Sequence, residues 1–159
     1  MGSQLNITNQ ERITPILGLL DFNLPPTATI MAGIVSPNQS GSLQPGQIVK
    51  LDSTITAQGT LNFLAAVDTD KPFGMIIYNT RSNSVATPGQ IYVACPGAGG
   101  NPIIWHVAGE AITPGELLQY NTDGSISMIA VGSGTTIAQA LDVAASGQLF
   151  RVALLNANY

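Results

Sequence analysis

The chain has 159 residues, 45% hydrophobic but only 9% charged, with five Lys and Arg against nine Asp and Glu for a net charge of −4. An ordinary soluble domain is about 25% charged, so Ser, Thr, Asn and Gln must cover this surface, and copies repel one another weakly. No basic stripe exists to neutralise phosphates, which excludes charge-driven nucleic-acid binding, and the single Cys95 excludes an intrachain disulfide framework and a thiolate zinc cluster.

The N-terminus, "MGSQLNITNQERITP", has no basic start followed by an apolar core, so no secretory signal is expected. "ILGLLDFNLPPTATIMAGIV" is the most apolar stretch, but Asp21 and the Pro25-Pro26 pair interrupt it, which rules out a membrane span. Consecutive prolines favour extended backbone. Residues 1–26 are therefore expected to form an extended N-terminal arm. Its apolar Ile16, Leu17, Leu19 and Leu20 have no place in the pattern that follows. Two readings of them stand side by side: they contact another subunit, or they form an edge strand on their own barrel.

From residue 27 to 159 Pro and Gly cut the chain into short apolar runs of strand length. The predicted strands are Thr27–Val35, Gln47–Leu51, Leu61–Val67, Gly74–Tyr78, Gln90–Cys95, Ile103–Val107, Leu117–Tyr120, Ser125–Val131, Thr136–Leu141 and Gln148–Leu154. Asp123-Gly124, between "LLQYNT" and "SISMIAV", is a hairpin signal because type I′ turns need φ > 0. "TPGEL" also fits a helix start, with Thr113 as N-cap and Glu116 three residues on. The Asp-Gly turn follows too soon for more than one helical turn. "TIAQALDVAASG" places Ile137, Leu141 and Ala144 at helical spacing, yet its match to "FGMIIYNT" favours a strand.

Four segments open alike: "PGQIVKLD", "PGQIYVAC", "PGELLQYN" and "SGQLFRVAL". They pair into two units, about residues 41–95 and 109–155, each with two middle strands between a first and a last Gly-turn strand. The expected fold is all-β: a compact β-barrel or β-sandwich-like domain built from a duplicated hairpin unit and preceded by the arm.

Catalytic patterns are missing. His106 is the sole histidine, and strand alternation turns it and Trp105 to opposite faces, so a hydrogen-bonded structural role is expected for it. Trp105 is expected in the core or at an interface. "CPGAGGNP" has the glycines of a phosphate loop without its closing Gly-Lys-Ser/Thr or a following helix. "VGSGT" lacks the spacing of a nucleophile elbow. Asp68 and Asp70 give too few oxygens for calcium, and Cys95 has no His or basic residue beside it. No cofactor, metal or enzymatic activity is expected.

"GSLQPGQIVKLDS", "AGEAITPGELLQYNTDG" and "AQALDVAASGQLFRVALL" resemble the β-rich decoration, or cement, proteins of tailed-bacteriophage capsids, in which a Gly-turn strand opens the domain and a phrase like Ala138–Leu154 closes it. The resemblance covers about Thr27–Leu155. It implies a virion protein, assembled in the host cytoplasm, that binds the outer surface of the head at local symmetry axes. Its partners would be the major capsid protein and other copies of itself, as a homotrimer or a dimer, with no nucleic acid and no membrane. Ile16, Leu17, Leu19, Leu20 and Trp105 are the expected contact residues. Two other classes remain: a carbohydrate- or host-binding β module of a fibre or adhesin, and a small hydrolase with His106 as its base.

Overall fold

A computed structural model describes residues 16–20, 29–55, 59–77, 89–97, 100–121 and 126–155. Ten strands run in chain order: β1 Thr29–Val35, β2 Ile48–Leu51, β3 Asn62–Ala65, β4 Gly74–Ile76, β5 Gln90–Cys95, β6 Ile103–Val107, β7 Leu117–Tyr120, β8 Met128–Ala130, β9 Ala138–Ala140 and β10 Leu149–Leu154. Each predicted strand is present, and within the described residues most are a residue or two shorter; Thr27, Ala28, Tyr78 and Ser125 lie outside the described residues. No helix occurs among the described residues, and none is long and apolar enough to cross a membrane.

Three of the four opening phrases share one local cause; the turn of the fourth, at Pro88, lies outside the described residues. In Gln44–Gln47, Thr113–Glu116 and Ala145–Gln148 the fourth amide bonds the first carbonyl, at 3.1, 3.3 and 3.0 Å. The third residue is Gly46, Gly115 or Gly147, at φ 84, 90 and 81. Such a turn needs a left-handed third residue, which glycine supplies without steric cost. The polar fourth residue then reaches back: Gln47 Oε1, Glu116 Oε2 and Gln148 Oε1 accept from the amides of Gln44, Thr113 and Ala145 at 2.6, 2.7 and 2.9 Å. Turn, polar residue and apolar strand thus form one device. At Thr113 the helix-cap bond does form, but Gly115 turns the chain away from a helix.

The strands make a closed barrel, ordered β1-β3-β2-β4-β5, and a five-stranded sheet, ordered β6-β10-β9-β7-β8. The two are one topology twice. β2 pairs antiparallel with β3 and β4, and β4 with β5, as β7 pairs with β8 and β9, and β9 with β10. β1 lies antiparallel to β5 as β6 does to β10. The parallel closure of β1 on β3 through Val35 and Phe63 recurs as a single parallel bridge between Ala108 and Met128. Registers agree too. Val49 faces Ala65 and Gly74 where Leu118 faces Ala130 and Ala138. The duplicated unit therefore includes the strand before each Gly-turn phrase: β1–β5 and β6–β10. In the last strands the register matches Val93-Ala94 to Val152-Ala153. Counted from Gly147 and Gly89, β10 thus carries one residue more than β5. A one-residue shift reverses every side chain, so the inward apolar positions, and not the turns, fix this pairing.

Alternation sorts the side chains into two cores. Inside the first barrel lie Val35, Leu43, Val49, Phe63, Ile76, Ile91, Val93 and Cys95. Their counterparts Ala108, Ile112, Leu118, Met128, Ala140, Phe150, Val152 and Leu154 fill the second unit. That second core continues into Ile48, Ala66, Met75 and Ala94, the outward side chains of the first barrel, and so joins the units.

Candidate interface surfaces

Part of the predicted arm, residues 16–20, packs beside β6 through a turn and one β-bridge. The Gly18 amide donates to the Trp105 carbonyl and the Trp105 amide to the Leu19 carbonyl, both at 2.8 Å, and Leu20 bridges antiparallel to Ile104. Gly18 must be glycine: φ is 78, and an added Cβ would lie 2.8 Å from the Gly46 nitrogen and the Pro45 Cβ. Leu20, only 9% exposed, belongs to the chain's own core. Leu17 is half-buried with its side chain against Gly46, Leu19 is half-buried, and Ile16 is 40% exposed. Residues 17 and 18 thus form a turn and Leu20 a single bridge to β6, with the Leu20 side chain in the chain's own core. The rest of residues 1–26 lies outside the described residues.

Trp105 is half-buried on β6, with the Arg151 guanidinium 5.9 Å from its ring centroid. Arg151 also grips Asp142 with two bonds, at 2.8 and 2.7 Å. Arg151 holds the Asp142 carboxyl below the usual carboxylate range, against the opposing effect of burial. With about a third of each side chain exposed, this pair contributes roughly 1 kcal/mol or less.

His106 is fully buried where the units meet. Its Nε2 lies 2.9 Å from the Gly46 carbonyl of the first barrel and its Nδ1 lies 3.2 Å from the Val107 carbonyl. Burial pushes its pKa below the ordinary value, and the two carbonyl contacts oppose that only in part. The neutral ring donates to Gly46. The matching residue in β1 is Gly33, where an added Cβ would collide with the Phe63 ring. In the second unit Met128 stands in place of Phe63, and an imidazole fits. Tyr120 lies edge-on to His106 at 6.5 Å, its hydroxyl beside the Ile48 backbone without closing a hydrogen bond. Burial raises that phenol to about 12. No carboxylate or nucleophile aligns with His106 among its contacts, so it ties the units together.

The other candidates are likewise in structural use. Asp70 caps the Val67 amide at 2.9 Å and pairs with Lys50 at 2.8 Å. Asp52, buried at the end of β2, accepts from Ser36, Asn38 and Thr54. Those bonds, Ser36 foremost, hold it far below the usual carboxylate range. Cys95 is buried, and burial raises its thiol to about 11. Gly97 and Gly100 of "CPGAGGNP" bridge each other, and residues 98–99 lie outside the described residues. In "VGSGT" the amides of Gly132 and Gly134 donate to Gln119. Among the described residues no group of three or more His, Cys, Asp or Glu side chains comes together.

Two surfaces were not foreseen from sequence. One is a cleft of about 720 Å³ at the end of the first barrel, lined by Lys50, Leu51, Leu64, Asp70, Lys71 and Phe73 among others. The other is an outward apolar strip on the second unit around Leu117 and Val131, 48% and 36% exposed. The signal for the strip is the duplication: matching positions in the first unit are Ile48 and Ala66, which are buried.

The fold is similar to a solved structure, the crystal structure of the head fiber gp8.5 N base in bacteriophage phi29, with a TM-score of 0.54. The match covers 82% of this chain and 98% of that chain at 14% identity. At that identity the likeness is one of fold. No protein-family model and no curated protein matches the chain.

Proposed function

We propose that the protein is a structural component of a phage virion that binds the outer surface of the assembled head and cements neighbouring major capsid subunits. The observation that carries this reading is the fold likeness to a head fiber base across 98% of that chain. Further support comes from His106, buried and committed to a backbone carbonyl, and from a surface with few charges. The edge made by Ile16, Leu17, Leu19 and Trp105 faces the head, and Leu20 anchors that edge to the core. Assembly takes place in the host cytoplasm.

A stable contact of this kind buries about 1,600 Å² in total. With 9% charged residues, apolar contact and neutral hydrogen bonds supply most of the affinity, so moderate salt weakens binding little. A ligand of the assembled state stabilises it by mass action. Titrating the protein onto heads lacking it should raise their rupture temperature at low and high salt alike. No shift at saturation, or binding lost at moderate salt, would count decisively against cementing.

A further inference from the structure

The duplication leaves the two units in unequal surroundings. In the first unit the outward side chains Ile48, Ala66, Met75 and Ala94 are at most 5% exposed, because they pack against the second unit. By strand register their counterparts are Leu117, Val131, Gln139 and Ala153. None of these four is buried. The turns differ in the same way. An added Cβ at Gly46 would lie 2.6 Å from Leu17 Cδ1, whereas at Gly115 it would meet nothing within 4 Å. One face is thus built twice and covered once.

The surface that covers it is also built twice. On the second unit, contacts with the first include Tyr120 beside the Ile48 backbone and the Thr135 amide donating to the Asp68 carbonyl at 2.9 Å. Tyr120 faces Met128 as Leu51 faces Phe63. Ile137 donates to Leu118 as Phe73 does to Val49, which makes Lys71 the counterpart of Thr135. Leu51 and Lys71 both line the 720 Å³ cleft, and Leu51 is 42% exposed. Each chain therefore carries an uncovered copy of the inserted face and an uncovered copy of the receiving end.

We propose that the Leu117–Val131–Ala153 face of one copy docks on the Leu51 cleft of a second copy, repeating between chains the contact that joins the two units within one. Such an interface is head-to-tail, unlike a two-fold contact in which one patch meets itself. It stands independently of the capsid reading.

The test uses the full-length chain with Leu117→Glu, which spoils the inserted face, and Leu51→Glu, which spoils the cleft. Both sites are exposed, so thermal melts should show folded proteins. Sedimentation velocity at rising concentration should show the wild type associating. Each variant alone should be monomeric, its self-association weakened about a hundredfold by a carboxylate that takes the place of a leucine at the contact. An equimolar mixture should form a heterodimer and stop there, because one intact face and one intact cleft remain. A wild type that stays monomeric, a variant that still associates, or a mixture that stays monomeric would overturn the proposal. So would a monomeric wild type whose Leu117→Glu variant fails to bind heads, because the face would then belong to the capsid.

Discussion

Replacing His106 tests how the two units are joined. The imidazole donates at 2.9 Å to the Gly46 carbonyl across the boundary and is fully buried. In His106→Ala that carbonyl loses its partner away from water, at about 1–3 kcal/mol. The vacated volume adds about 2 kcal/mol. For a chain of this size each kcal/mol lowers Tm by about 2–4 °C, so a fall of roughly 6–20 °C is expected in a calorimetric or circular-dichroism melt. His106→Phe refills the space and should recover the cavity part only. A loss below 1 kcal/mol in His106→Ala would refute the bond's role.

The same residue sets a pH signature. Its folded pKa lies below 6.5 because burial disfavours the imidazolium. As pH falls below 6.5 the unfolded chain takes up a proton that the folded chain refuses, so stability is full above 6.5 and declines by about 1.36 kcal/mol per pH unit beneath it. The decline ends where the folded pKa is reached. The carboxylates Asp52, Asp70 and Asp142 have lowered values and lose their contributions only at more acid pH. With one histidine in the chain, the window from roughly pH 5 to 6.5 isolates His106. Denaturant midpoints should fall across it in the wild type and stay level in His106→Phe; equal slopes would sink the assignment.

Gly46→Ala and Gly115→Ala both place Cβ at positive φ, for about 1–2 kcal/mol each. Only the first also strikes Leu17, so Gly46→Ala should be the less stable by chemical denaturation, and equal losses would argue against the packing of residues 16–20. With its thiol raised from 9.0 to about 11, Cys95 should react with a thiol reagent at mildly alkaline pH about a hundredfold more slowly folded than unfolded; rapid labelling of the folded protein would show the first barrel open. Deleting residues 1–20 removes the core side chain Leu20 and two backbone hydrogen bonds to Trp105, a loss of about 3 kcal/mol or more. An unchanged melting temperature would refute the place of Leu20 in the chain's own core.

Local chemistry made the strands legible. A Pro-Gly or Ser-Gly pair, a Gln or Glu, then four to six apolar-rich residues specify turn, anchor and strand within one short window. The helical spacing of Ile137, Leu141 and Ala144 gave way because Gln139 faces outward between the buried Ala138 and Ala140. Alternation over three residues decided what spacing over eight did not. A barrel or sandwich was expected, but the strand pair that closes the barrel was illegible, since Val35 meets Phe63 across 28 residues and nothing in either segment encodes the other. Both strands before the Gly-turn phrases were predicted, but not that they belong to the repeat, because "TIMAGIV" and "IIWHVAG" share little except alternation, although they hold equivalent places. At Trp105 the alternation with His106 was legible, but the Gly18–Leu19 backbone that pairs with it was not.

Those two segments also hold the substitutions that separate the copies. Gly33 lies under the Phe63 ring, which leaves no room for a side chain to reach out of the first barrel. His106, opposite the slimmer Met128, reaches the neighbouring unit. Two identical barrels would offer the same faces to solvent and would have no reason to stop associating. This exchange of Phe63 for Met128 and of Gly33 for His106, with residues 16–20 beside β6, is where the second unit, as the receiver, differs from the first. The contact within the chain buries one inserted face, and the proposed docking would seat the second such face on the Leu51 cleft of another copy. The proposed head-to-tail contact would remove Leu117 and Leu51, 48% and 42% exposed, from water, beside the charged Lys50, Asp70 and Lys71 of the cleft.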